Sequence, residues 1–293
     1  MFSKDSLKLK IQTAVTVALI ASGIIPAVQA EVTDLSVDNP SGTTITNGST
    51  SYAVDLDSGG PYTVINAGTI STVKATSTIS AIEIDEVAVT TLTNTGTMSA
   101  ETVRSGAFGI HSYTYNDTTS ITTLTNSGTI SGESGIDNGN GIWLETYYAD
   151  NSITTLTNSG TISGEAGNSL GYGVRLSSYN ADASITTLTN TATISGSAGT
   201  DGYGVYLYSY DADASITTLT NSGTISGEAG TDGYGIYLYT GHRGSGNSTI
   251  TNLTNKGTIS GSTYDIWNKD EDIINFNNSQ GKDGDDVLTY NGK

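Results

Sequence analysis

An internal repeat is the feature that most limits how this chain can fold. The string Thr-Leu-Thr-Asn-x-Gly-Thr-Ile-Ser recurs with small variations, and its asparagines are 28, 32, 32, 32, 31 and 34 residues apart. These asparagines are Asn66, Asn94, Asn126, Asn158, Asn190, Asn221 and Asn255. A nearly constant period of this length is typical of architectures in which each unit stacks on its neighbours.

Each period contains three short segments that resemble β-strands. They are rich in Thr, Ile, Val and Tyr and are separated by Gly, Asn, Asp and Ser. No window after residue 31 has the spacing of an amphipathic helix. The sequence therefore predicts an all-β fold over residues 31–293, a right-handed parallel β-helix of about eight coils with a repeat period of about 32 residues. An antiparallel sandwich or propeller is the competing all-β interpretation, and it suits near-identical units less well.

Aligned repeats place the same residue type in columns, as with Leu124 and Leu156. In a parallel stack such residues lie about 4.8 Å apart and share one core. We expect the asparagines to form a hydrogen-bonded ladder and the glycine two residues later to allow a turn with an unusual φ. The coil that carries Ala192 lacks this glycine, so we expect an altered turn there. We expect residues 196–202 and 227–233 to bulge as loops.

The first thirty residues have the three-part pattern of a cleaved secretory signal. Lys4, Lys8 and Lys10 precede an apolar stretch over residues 14–25, and Val28 and Ala30 are small residues at the expected cleavage site. The apolar stretch is shorter than the ~20 residues of a transmembrane helix. We therefore predict a signal peptide over residues 1–30 and an exported domain over residues 31–293.

Composition excludes several classes of function. Acidic residues outnumber Lys and Arg 29 to 11, for a net charge of −18, which argues against nucleic-acid binding. Without cysteine the chain has no disulfide, thiolate zinc site or cysteine nucleophile. The two histidines, His111 and His242, lack neighbours of catalytic character, and no nucleophile-elbow, zinc-protease or phosphate-loop motif is present. We predict no enzymatic activity, no catalytic or metal-ligating residue and no cofactor.

The repeats resemble those in the passenger regions of bacterial autotransporters, which use type V secretion. The similar residues are the run Ile-Thr-Thr-Leu-Thr-Asn-Ser-Gly-Thr-Ile-Ser-Gly and two terminal segments, residues 276–281 and 288–292. This resemblance implies a β-helical passenger of a Gram-negative bacterium that is displayed at the cell surface or secreted, often as an adhesin. The chain to Lys293 lacks the alternating ~10-residue strands of a translocator barrel. Contact with the outer membrane is therefore expected only through a barrel outside this chain.

One outward face of the coils is the candidate binding surface. We predict an exposed aromatic stripe that contacts a cell-surface receptor, a glycan or another surface, because Tyr and Trp offer contact area at low entropy cost. Its residues are Trp143, Arg175, Tyr206, Tyr208, Tyr237 and Tyr239. The competing interpretation is that tyrosine favours strands and packs along the stack for stability alone.

Two other columns suggest different ligands. Paired threonines such as Thr123 and Thr125 resemble ice-binding surfaces, which gives a soluble ice- or polysaccharide-binding solenoid as the alternative function, ahead of a polysaccharide-degrading β-helix enzyme. Aligned acids could bind Ca²⁺, as could residues 281–288, which resemble one calcium-binding nonapeptide. A solvated acidic edge is the simpler interpretation. The aligned acids are Asp150, Asp182 and Asp213, with Glu133, Glu165 and Glu228 as a looser set.

Overall fold

The fold is a parallel β-solenoid, as the repeat predicts. The structure, a computed structural model, describes residues 37–46, 51–241, 245–269, 273–278 and 290–291. Every regular element among these residues is a strand, and the strands form three parallel sheets of nine, eight and nine strands. The eight strands of the second sheet mark eight levels, which are separated by seven turns with a period of about 32 residues.

Each of the first eight coils contributes one strand to each sheet, and the last two described strands extend the first and third sheets. Strands are numbered in chain order. The first sheet contains β1 (Val37–Asn39), β4 (Tyr62–Asn66), β7 (Ala88–Asn94), β10 (Thr119–Asn126), β13 (Asn151–Asn158), β16 (Ala183–Asn190), β19 (Ala214–Asn221), β22 (Ser248–Asn255) and β25 (Ile273–Asn278). The second sheet contains β2 (Thr44–Thr46), β5 (Thr69–Lys74), β8 (Thr97–Thr102), β11 (Thr129–Ser134), β14 (Thr161–Ala166), β17 (Thr193–Ala198), β20 (Thr224–Ala229) and β23 (Thr258–Gly261). The third sheet contains β3 (Tyr52–Leu56), β6 (Ile79–Asp85), β9 (Ala107–Thr114), β12 (Gly139–Thr146), β15 (Leu170–Ser178), β18 (Asp201–Ser209), β21 (Asp232–Thr240), β24 (Tyr264–Lys269) and β26 (Tyr290–Asn291).

The core consists of the apolar columns that the aligned repeats predict. Leu124 pairs in register with Leu156, and Ile130 pairs with Ile162. These side chains are fully buried, and they belong to one continuous apolar cluster that runs along the stack. No single coil has enough apolar surface to bury its own face, so the stacking of coils supplies the core.

The predicted asparagine ladder lies at the ends of the first-sheet strands from β1 to β22. Asn126 donates from Nδ2 to Oδ1 of Asn158 at 2.8 Å, and Asn158 donates to Asn190 at the same distance. The same Nδ2 of Asn126 also donates to the carbonyl of Thr161 at 3.0 Å. The side chains from Asn39 to Asn255 in this ladder are buried, so the ladder satisfies amides that would otherwise be costly inside the core.

The turn glycines allow close backbone approach rather than an unusual φ. Among the described residues only Gly42, Gly59 and Gly60 are glycines with positive φ, so the prediction of an unusual φ after the asparagines is wrong. A Cβ on Gly128 would instead lie 1.9 Å from the carbonyl oxygen of Gly96 in the coil below.

The coil with Ala192 shows only a small change. The hydrogen bond from Thr193 N to Gly160 O is 3.1 Å long, whereas the equivalent bond from Thr161 N to Gly128 O is 2.8 Å. The change does not extend to the neighbouring bond from Thr191 N to Asn158 O, which keeps the usual 2.8 Å.

Residues 196–202 and 227–233 do not bulge as loops, so that prediction is wrong. Gly196 lies in β17 and Gly202 lies in β18, with only residues 199–200 between the two strands. Glycine is required here because the second and third sheets meet backbone to backbone. A Cβ on Gly196 would lie 2.1 Å from Tyr203 O and 2.3 Å from Gly171 O.

The described residues contain no helix with the length and apolarity needed to span a lipid bilayer.

Candidate binding face

The outer surface of the third sheet carries the predicted stripe within a broader aromatic face. We define the aromatic face as three columns that run across the coils. The first column contains Phe108, Asn140, Tyr172, Tyr203, Tyr234 and Tyr264, the second contains His111, Trp143, Arg175, Tyr206, Tyr237 and Trp267, and the third contains Tyr113, Glu145, Ser177, Tyr208 and Tyr239. Inward-facing Val205 and Leu207 alternate with the outer side chains and fix them in place.

Rings in each column stack on one another at nearly the spacing of the coils. The ring centroids of Tyr172 and Tyr203 are 5.0 Å apart, and those of Tyr206 and Tyr237 are 5.4 Å apart, with interplanar angles of 10° in both pairs. Neighbouring columns contact edge to face, as Tyr203 does with Tyr206 at 4.9 Å. Across β18, β21 and β24 this packing presents a continuous, pre-ordered aromatic surface.

The six predicted site residues all lie on this face, but none of them is freely exposed. Each is half-buried, because rings in neighbouring columns cover one another. Burial raises the pKa of the Tyr206 hydroxyl well above its usual value and raises the pKa of Tyr237 to about 12. Both hydroxyls therefore remain neutral at physiological pH and are available as hydrogen-bond donors.

Arg175 interrupts the second column with a positive charge. Its guanidinium carbon lies 4.3 Å from the Trp143 ring centroid and 4.7 Å from that of Tyr172, which are cation–π distances. Nε donates to Ser177 Oγ at 3.0 Å, and the same oxygen accepts from Trp143 Nε1 at 3.1 Å. These contacts hold the guanidinium among the rings of the aromatic face.

A buried charge cluster lies at one end of the face. His111 Nδ1 is 2.8 Å from Glu83 Oε1, and its Nε2 is 3.3 Å from Glu145 Oε2. Burial lowers the pKa of His111, but the two carboxylates outweigh burial and raise it from 6.5 to about 10. The imidazole is therefore protonated at neutral pH and links β6, β9 and β12. Burial, together with Glu86 and Glu83, raises the pKa of the nearby Asp85 carboxyl from 3.8 to about 6.

Sequence reasoning missed the first column and the two partners of His111. The signal for the first column is the first tyrosine of the sequences Tyr-Gly-Val-Tyr and Tyr-Gly-Ile-Tyr. In each sequence its ring contacts the ring of the second tyrosine edge to face. The aligned repeats indicate only part of the charge cluster. Glu83 is level with His111 in the register, whereas Glu145 belongs to the neighbouring column and reaches across it.

The threonine and acidic columns also align in the structure. Thr123 pairs with Thr155, and both side chains are half-buried on the outer side of the first sheet. Asp150 Oδ1 accepts a hydrogen bond from the backbone N–H of Asp182 at 3.1 Å, and Asp182 Oδ1 accepts from Asp213 at 2.9 Å. These carboxylates thus cap backbone groups of the next coil.

Calcium binding by the aligned acids stays an untested alternative to the prediction of no cofactor. Within the parts of the chain that the structure describes, no group of three His, Cys, Asp or Glu residues is arranged to hold a metal ion. The possible calcium nonapeptide, residues 281–288, the predicted signal peptide, residues 1–30, and His242 lie outside the described residues.

The chain matches no protein-family model, no curated protein and no solved structure. The sequence motifs are therefore the only evidence for the resemblance to autotransporter passengers. The evidence for the solenoid fold is the strand register and the three sheets described above.

Proposed function

We propose that this chain is an exported, non-enzymatic adhesive passenger that binds surfaces through its aromatic face. The observation that supports this proposal is the continuous stacking of rings across the third sheet, from Tyr172 to Tyr203 to Tyr234 and from Tyr206 to Tyr237 to Trp267. A glycan or protein at another cell's surface is the proposed partner. Nucleic acid is excluded from this proposal because of the strong net negative charge.

The aromatic face has two properties that favour binding. The rings are ordered before a ligand arrives, so binding immobilises few side chains and costs little conformational entropy. The neutral tyrosine hydroxyls add hydrogen-bond donors at the edges of apolar rings, and this combination suits both faces and hydroxyls of sugars. Stacking that serves only stability is the competing explanation, and adhesion measurements separate the two.

The proposal is tested with paired substitutions of equal number on two sheets. The variant Tyr206→Ser/Tyr237→Ser removes two stacked rings from the aromatic face, and Thr155→Ser/Thr187→Ser is the matched control on the first sheet. Adhesion of the purified full chain to host cells and to immobilised glycans should fall only in the tyrosine variant. Unchanged adhesion of a tyrosine variant that retains its β-sheet circular dichroism would contradict the proposal.

Export is tested in a Gram-negative bacterium that expresses the full chain. We propose cleavage after Ala30, so N-terminal sequencing of the exported product should begin at Glu31. The product is expected at the cell surface or in the medium, where protease added to intact cells can reach it. A product retained in the cytoplasm with Met1 intact would contradict export.

The second candidate function is ice binding by a soluble solenoid. It is favoured by the register of Thr123, Thr155, Thr187 and Thr218 on the first sheet, which repeats a hydroxyl and a methyl group at the spacing of the coils. Thermal hysteresis of the purified chain, compared with a Thr155→Lys/Thr187→Lys variant, tests this candidate. An equal freezing point in both samples would exclude it.

We propose no catalytic role for the charge cluster. Both ring nitrogens of His111 are engaged by carboxylates, which leaves neither nitrogen available as a general base at neutral pH. Release of reducing sugars from polysaccharides by the full chain, lost on His111→Gln, would contradict this and support a polysaccharide-degrading enzyme.

A further inference from the structure

The regular aromatic columns are interrupted at one place, in the two adjacent strands β12 and β15. We call this place the polar notch and define it as Asn140, Glu145, Arg175 and Ser177. Asn140 replaces a ring in the first column, Arg175 replaces one in the second, and Glu145 and Ser177 replace tyrosines in the third. Four polar replacements on two neighbouring strands are a local departure from the repeat, which the stacking of the coils does not require.

Arg175 has unused hydrogen-bonding capacity in the notch. Its Nε donates to Ser177 Oγ, and no described carboxylate forms an ion pair with the guanidinium. Trp143, Tyr172 and Tyr206 surround the guanidinium at 4.3, 4.7 and 5.9 Å, so its orientation is set before any ligand binds. A fixed guanidinium with free terminal N–H groups matches the two oxygens of a carboxylate.

Asn140 is a second, independent sign of a missing polar partner. Its side chain is fully buried, and within the described structure neither Oδ1 nor Nδ2 has a hydrogen-bond partner. It is level in the register with Tyr172, the ring beneath the Arg175 guanidinium. An unpaired buried amide costs about 1–3 kcal/mol, and such groups in native proteins usually have a partner, as a ligand or an ordered water would supply.

Glu145 does not cancel the positive charge of the notch. Its carboxylate faces His111, with which it forms a 3.3 Å ion pair. The remaining negative charge of the chain is spread over many coils, and charges farther away than about 8 Å are largely screened at physiological ionic strength.

We propose that the polar notch binds a carboxylate-bearing sugar, such as a uronic or sialic acid, with the carboxylate on Arg175 and the sugar ring against the neighbouring aromatic rings. The proposal rests on the adhesive function proposed above and names its ligand class. The aromatic rings supply contact area for any sugar, whereas Arg175 selects for the acid. A sugar whose carboxylate has been neutralised should therefore bind much more weakly, although it keeps the same contacts with the aromatic rings.

The test uses two acidic probes, trigalacturonic acid and sialyllactose, each beside its methyl ester, which keeps the ring and removes the charge. Isothermal titration of the purified full chain at physiological salt should show about tenfold weaker binding of the esters. The Arg175→Gln variant should bind each acid as weakly as its ester. Arg104→Gln is the control, because it changes the net charge equally at an exposed residue outside the aromatic face.

The outcomes separate the ligand class from the adhesive function. Equal binding of acids and esters by the unaltered chain overturns the carboxylate proposal and leaves sugar binding by the face intact. An equal loss in Arg175→Gln and Arg104→Gln also overturns it, because long-range charge would then explain the effect. If neither acid nor ester binds, the carboxylate proposal is wrong, and the adhesion measurement with the tyrosine variant decides the adhesive function by itself. Should Arg175→Gln fail to fold, the comparison of acids with esters in the unaltered chain still decides.

Discussion

Asn158 and Asn190, 32 residues apart in the chain, are joined by a 2.8 Å hydrogen bond between their buried side-chain amides. Each such bond repeats between neighbouring coils, so every interior asparagine both donates to one coil and accepts from the other. The ladder therefore fixes the register of the coils from inside the core, where no water competes for the amides.

We expect Asn158→Ala to destabilise the solenoid by about 3 kcal/mol, because it leaves the buried Oδ1 of Asn190 without its donor and removes one acceptor from Asn126 Nδ2. Urea denaturation monitored by circular dichroism measures the loss. Asn275→Ala is the matched control, since Asn275 donates to Asn252 at 2.9 Å in an exposed pair, and we expect a change below about 0.5 kcal/mol there. Equal effects of the two substitutions would show that burial of the ladder is unimportant.

We expect Gly164→Ala to cost about 1–3 kcal/mol, because the new methyl group meets backbone that cannot move independently. A Cβ at this position would lie 2.1 Å from Tyr172 O and 2.4 Å from Gly139 O. Ala100 occupies the equivalent register position two coils earlier and already carries a Cβ, so Ala100→Gly should cost less than about 1 kcal/mol. Thermal unfolding of both variants compares them, and a stable Gly164→Ala protein would refute the backbone contact.

The stability of the chain should depend on alkaline pH through His111. Its folded-state pKa of about 10 exceeds the ordinary value of 6.5, so its stabilising effect is complete below 6.5 and is lost as the pH rises towards 10. We expect His111→Gln to cost about 3 kcal/mol at pH 6, since it leaves Glu83 and Glu145 without their shared cation.

The measurement is the difference in unfolding free energy between the parent and His111→Gln from pH 6 to pH 10. Taking the difference removes the effects of tyrosines and lysines, which titrate in both proteins. A difference that stays constant from pH 6 to pH 10 would mean that the imidazole is neutral in the folded chain.

The charged form of Asp85 should destabilise the fold, whereas the charged form of His111 stabilises it. The pKa of Asp85 is raised to about 6 from 3.8, so ionisation costs stability, and that cost is absent below about pH 3.8 and complete above about pH 6. We expect Asp85→Asn to be more stable than the parent at pH 7.5 by about 1 kcal/mol, after allowance for solvent screening at this half-buried group. The two proteins should have equal stability at pH 3.5, and greater stability of the variant at both pH values would indicate a cause other than titration.

Most of the fold could be predicted because the repeat reports the register directly. Asn126 and Leu124 recur at one spacing in coil after coil, and a strand slipped by one residue would turn Leu124 to solvent. The turn glycines were misinterpreted because a glycine has two uses, a positive φ and close approach, and sequence alone does not separate them. Gly196 lies in β17 rather than in a loop, and it is a glycine because the facing backbone leaves no room for a side chain.

The candidate site could be predicted less completely. Alternation placed Tyr206 and Tyr237 on the outer surface, but the degree of their burial depends on edge-to-face contacts with Tyr203 and Tyr234. The charge cluster could not be derived from columns, since Glu145 reaches His111 from the adjacent column. Such diagonal contacts depend on side-chain rotamers, which the repeat does not encode.

The asparagine ladder also has a consequence for how such a chain evolves. A coil inserted or deleted as a whole repeat restores the same donor and acceptor at both of its faces, so gene duplication changes the length of the rod by about 4.8 Å per copy without a new junction to optimise. Selection can therefore adjust the reach of the molecule by copy number, while single substitutions, such as those at Asn140 and Arg175, alter the outer surface of individual coils. Length and surface chemistry become separately heritable properties of one chain.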